Sequence, residues 1–108
     1  NRTFTNLPLI QLDATVGKEN RKKVVNAFIS TVPLFKDSLI EFEEGNDLQQ
    51  LKNLGHRFKS ASQTIGGLQF SQLCQKLESA ETIEDAKKIK DELAKSIDEL
   101  KNQLNQYA

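Results

Sequence analysis

Residues 47–67, DLQQLKNLGHRFKSASQTIGG, decide the fold. Wound at about 100° per residue, Leu51, Leu54, Phe58, Ala61 and Ile65 fall in one narrow sector. That single apolar stripe makes the segment an amphipathic helix. Asn46 or Asp47 can cap its start, and Gly66-Gly67 stops it. His56, the only histidine of the chain, falls roughly opposite the stripe, among Gln49, Lys52, Lys59, Ser60 and Gln63. The imidazole is therefore expected mid-helix on the solvent face, on rigid backbone.

The flanking segments follow the same rule. From about Lys18 to Glu44, the residues Val25, Phe28, Val32, Phe35, Leu39 and Phe42 recur at alternating spacings of three and four, one helical stripe. Pro33 lies inside it and predicts a kink or brief break, and Gly45 predicts the stop. After Gly67, a shorter helix carries Phe70, Leu73, Cys74 and Leu77 on one face. Thr82, with Asp85 three residues later, forms a loose capping box for a last helix with Ala86, Ile89, Leu93, Ile97, Leu100 and Leu104. Leu9, Ile10 and Leu12 predict a short helix ending near Gly17. The expected fold is all-α: an antiparallel four-helix bundle with a short additional N-terminal helix, since short loops join antiparallel neighbours. Leu54, Phe58, Leu73, Leu77, Phe28, Phe35 and Leu93 are its expected core. Residues 1–108 read as one domain, with the bundle over about 18–107.

Composition narrows the function. A chain of 108 residues is one domain, large enough for its own core. Its 15 basic and 15 acidic side chains cancel, which argues against a broad nucleic-acid surface. The single cysteine excludes an internal disulfide and fits a reducing compartment. No apolar run approaches the roughly 18 residues of a membrane span, and no signal-peptide pattern opens the chain. The start at Asn1, without methionine, suggests a domain cut from a longer protein.

One histidine and one cysteine cannot supply an ordinary metal ligand set, so no metal is expected. No nucleophile elbow accompanies the histidine, and no glycine-rich phosphate loop offers an ATP site. An exposed imidazole flanked by Lys59, Ser60 and Gln63 is instead suited to carrying phosphate. A ring nitrogen is a competent nucleophile, and a lysine and small polar groups one turn away can bind phosphoryl oxygens. Buried packing explains Cys74 better than reactivity. Lys52 and Arg57 are candidates for meeting an acidic partner surface, with plain solvated charge as the alternative.

The stretch from His56 to Glu78 resembles the signature of histidine-containing phosphotransfer (HPt) domains, roughly H-x-L-K-G-x-x-x-x-x-G-x-x-x-L-x-x-L-C-x-x-L-E. His56, Lys59, Gly66, Leu73, Cys74, Leu77 and Glu78 match in register, and Phe58 and Phe70 stand in place of leucines. Ser60 stands where the family usually has glycine, which implies slightly altered docking. The resemblance implies a phosphorelay intermediate that shuttles phosphate between receiver-domain aspartates. His56 would be the phosphoacceptor and Lys59 its charge partner. Ser60, Gln63, Lys52, Arg57 and Glu78 would touch the partner or the phosphate, and Leu9, Ile10 and Leu12 would give part of an apolar docking rim. The magnesium used in transfer would sit on the receiver, so this chain would need no cofactor.

Two other functions compete. The phosphoacceptor and dimerisation domain of a histidine kinase places an acidic residue directly after the histidine and a proline shortly beyond. Here Arg57 follows, and no proline lies downstream. In a non-catalytic helical adaptor, His56 would be incidental. The expected setting is a cytoplasmic, monomeric domain at the C-terminus of a hybrid sensor kinase, in a parent anchored in the inner membrane, without kinase activity of its own.

Overall fold

In the computed structural model the backbone is described for residues 6–108 and side chains from Asn20 onward. Four helices follow one another: α1 (Asn6–Glu44), α2 (Leu48–Thr64), α3 (Leu68–Glu78) and α4 (Ile83–Leu104), closed by a 3-10 turn at Asn105–Tyr107. No strand occurs among the described residues. Each helix begins or ends where local chemistry dictates. Asp47 accepts from the Gln50 N–H through its carboxylate, and Thr82 accepts from the Asp85 N–H through its hydroxyl. These side chains satisfy donors that the first helical turn leaves open. Asn46 (φ 53°) and Gly66 (φ 86°) take the left-handed turns after α1 and α2. The first of these falls one residue past Gly45, at an asparagine, a residue that tolerates the conformation.

Two expectations are corrected at the N-terminal end. The separate short helix ending near Gly17 is instead the first part of α1, and Pro33 does not interrupt that helix. A mid-helix glycine costs only about 1 kcal/mol relative to alanine, too little to end a helix by itself. Pro33 is exposed, while Val25, Phe28 and Val32 before it and Phe35 and Leu39 after it are all buried. The stripe on both sides offsets the hydrogen bond that proline cannot make. The side chains of Leu9, Ile10 and Leu12, expected as a docking rim, lie outside the described residues.

The helices form a closed ring, α1 beside α2, α2 beside α3, α3 beside α4 and α4 beside α1. Cross-links give their directions. Lys36 pairs with Asp98 at 3.0 Å and Glu43 with Lys90 at 3.6 Å, so α1 ascends as α4 descends. On the other side His56 and Lys59 of α2 meet Glu78 and Gln75 of α3 in the same crossed order. The core draws on all four helices, with Val25, Phe35, Leu54, Leu77, Leu93 and Ile97 among its most buried members. Phe35 is its hub, 4.7 Å from the Phe58 ring and 5.3 Å from the Phe70 ring. Phe58 and Leu73, expected in the core, are half-buried against it, and Ala61 is exposed.

Candidate functional site

The site starts from a glycine. Gly55 lies inside α2 immediately before His56, and a Cβ there would stand 2.8 Å from the Cys74 carbonyl oxygen, 3.1 Å from the Glu78 nitrogen and 3.2 Å from Leu77 Cβ. Only a residue without a side chain lets the two backbones approach this closely. Gly67, read as part of the stop of α2, also lies close to a neighbouring helix: a Cβ there would meet Leu100 of α4.

Close backbone approach brings polar side chains of α2 and α3 together at the surface. His56 Nδ1 lies 2.8 Å from Glu78 Oε2, and Lys59 Nζ donates to Glu78 Oε1 at 2.7 Å. One carboxylate thus holds both side chains. Lys59 also donates to Gln75 Oε1 at 2.9 Å, and Gln75 Nε2 donates to Ser79 Oγ at 2.9 Å. The imidazole is 65% exposed, against 22% for Lys59 and 28% for Glu78. The ring therefore stands up from a semi-buried polar floor. The Glu78 carboxyl is held below its ordinary value, first by the Lys59 hydrogen bond and next by that of His56. An ionised carboxylate only accepts, so Nδ1 carries the proton in this contact. In the neutral ring the lone pair then falls on Nε2.

The other expected site residues are distributed unevenly. Ser60 and Gln63 are exposed on α2, and Lys52 is half-buried there. No hydrogen bond or ion pair among the described residues ties any of the three to His56. Arg57 turns the other way, into an apolar groove of about 530 Å³ between α1 and α2 that Phe28, Leu34, Phe58 and Ala61 also line. Leu34 is 66% exposed beside it. Gly55, Gln75 and Ser79 were not anticipated. A glycine in the middle of an otherwise regular helix was the one available signal. Cys74 is fully buried, and burial pushes its thiol up to about 12, so it is inert as a nucleophile at neutral pH. No group of three or more His, Cys, Asp or Glu side chains is gathered for a metal among the described residues. No described helix is long and apolar enough to cross a membrane.

The fold and site define a class: an all-helical bundle presenting one carboxylate-held histidine on its second helix. The family model of the Hpt domain matches residues 23–106, and the chain belongs to that family. No curated protein and no solved structure matches the chain. Hpt domains work in histidine phosphotransfer within two-component signalling, where they interact with response-regulator receivers.

Proposed function

We propose that this domain is a phosphorelay intermediate in which His56 Nε2 takes a phosphoryl group from a receiver aspartate and passes it to another. The arrangement that carries this reading is the exposed ring with Nδ1 tied at 2.8 Å to a carboxylate that also binds Lys59. Glu78 fixes the tautomer and orientation of the ring, so the free lone pair faces solvent and an incoming partner. In the forward step the Nε2–P bond forms and the P–O bond to the aspartate breaks. The electron pair of that bond returns to the aspartate carboxylate. The Nδ1 proton stays where it is, so the phosphorylated ring is a cation, and the Glu78 carboxylate stands opposite its charge. Transfer to the next receiver reverses each bond change. Lys59, beside the same carboxylate, supplies positive charge for the phosphoryl oxygens.

Ser60 and Gln63 border the ring on α2, where small polar groups leave a receiver room to approach. Lys52 supplies positive charge to its acidic site, and Arg57 supplies it from the groove side of α2. The apolar groove with Leu34 and Phe58 adjoins this surface and gives the receiver an apolar foothold. Magnesium belongs to the receiver, and no cofactor is assigned to this chain. With its receivers the domain works in the cytoplasm, as a monomeric module of a sensor kinase.

The test pairs two phosphate donors. Incubated with radiolabelled ATP and magnesium alone, the domain remains unlabelled. Mixed with phosphorylated receiver domains, it takes label from at least one. Direct labelling by ATP, or no transfer from any receiver of the same genome, contradicts the assignment.

A further inference from the structure

Phosphoryl transfer at His56 leaves one polar group of the site without a task. Gln75 lies on α3 one turn before Glu78, so the two side chains share a face. No hydrogen bond among the described residues ties it to His56. Its amide oxygen accepts from Lys59 Nζ at 2.9 Å, and its amide nitrogen donates to Ser79 Oγ at 2.9 Å. The Lys59 contact fixes the facing of the amide, because an ammonium only donates and a nitrogen turned toward it would set donor against donor, whereas the Ser79 hydroxyl can accept or donate.

An ammonium has three protons to donate. Glu78 Oε1 takes one from Lys59 at 2.7 Å and Gln75 Oε1 takes a second. The third stays uncommitted. A lysine stem held by Glu78 alone would leave the ammonium free to pivot about that carboxylate, and ordering it during transfer costs rate. Held at two points, it is fixed before the phosphoryl group arrives. Because glutamine is uncharged, it orders Lys59 without adding a second anion beside the phosphate.

We propose that Gln75 is a positioning residue for phosphoryl transfer, one that anchors the Lys59 ammonium beside the His56–Glu78 pair with an N–H left to meet the phosphoryl oxygens. This rests on His56 being the phosphoacceptor. It assigns the Gln75–Ser79 pair a role that acts only through Lys59.

The experiment is a double-mutant cycle on the full chain with phosphoramidate as donor, which removes receiver docking from the measurement. In that reaction the P–N bond of phosphoramidate breaks, ammonia leaves with the electron pair, and the Nε2–P bond forms. If only a phosphorylated receiver labels the parent, the same cycle is run with that donor. Phosphorylation rates are read for the parent, Gln75→Ala, Lys59→Ala and the double variant, each checked for an unchanged melting temperature. Gln75→Ala slows phosphorylation roughly three- to tenfold, and in the Lys59→Ala background it has no further effect. The Lys59 Nζ resonance in Gln75→Ala loses its dispersion in nitrogen NMR. A Gln75→Ala rate equal to that of the parent, or slowing that multiplies with that of Lys59→Ala, overturns the role of Gln75. A parent chain that takes no label on His56 from either donor overturns the phosphoacceptor assignment beneath it.

Discussion

On the side of α2 that faces α3, Gly55 brings two backbones into contact and a polar network of His56, Lys59, Glu78 and Gln75 closes over them. On the side that faces α1, the same helix leaves an open apolar groove of about 530 Å³ with Leu34 exposed at its edge. The two sides use the same helical scaffold for opposite ends. Chemistry needs a ring and a charge held in place before the substrate arrives, and close packing supplies that. Docking needs accessible surface that loses water only when the partner comes, and an unfilled groove supplies that.

Substitution on each side measures the difference. The largest effect is expected from Gly55→Val, because the first added carbon already meets the Cys74 carbonyl at 2.8 Å. Overpacking of this kind costs about 1–3 kcal/mol, and moving α3 away also withdraws Glu78 from His56. Ala61→Val, on the exposed side of α2, costs no more than about 0.7 kcal/mol of helix propensity. Urea unfolding of the two variants gives the comparison directly, and equal losses would break it.

Next in size is Leu34→Glu. At 66% exposure the change leaves stability within about 0.5 kcal/mol. Transfer from a phosphorylated receiver slows, while phosphorylation by phosphoramidate keeps its rate. Slowing of both reactions would mean that the groove serves the chemistry and not the docking.

The smallest effect concerns acid. Lys59 and His56 hold the Glu78 carboxyl below its ordinary value. A depressed carboxyl contributes stability above its unfolded value, and that contribution is lost as pH falls through the folded value. The parent therefore melts slightly above Glu78→Gln at neutral pH, and the gap closes as the solution is acidified below about pH 4. A gap that widens in acid would contradict the ion network.

The two sides also differ in how far the sequence exposes them. Helical spacing alone puts His56 on the solvent face and Leu54 and Leu77 in the core, because both depend on periodicity within one helix. The spacing from His56 to Lys59 is likewise local. Contacts between helices are hidden. Glu78 meets His56 across 22 residues of chain, and its hold on the ring depends on how α2 and α3 are registered. Gly55 costs helix stability when read alone, and its reason is a carbonyl on another helix. Ala61 falls in the apolar stripe yet lines the open groove, since a wheel does not say where the neighbouring helix stops. At the N-terminal end, Gly17 and Pro33 carry breaking signals that the continuous helix α1 overrides.

The central claim is that His56 carries the phosphoryl group. Label transferred from a phosphorylated receiver to the parent domain is predicted to survive alkali and be lost in acid, as a phosphoramidate bond requires. His56→Gln keeps the polarity of the site and removes the nucleophile, so it is predicted to fold with an unchanged circular dichroism spectrum and take no label. Acid-stable label on the parent, or any label on His56→Gln, would contradict the account.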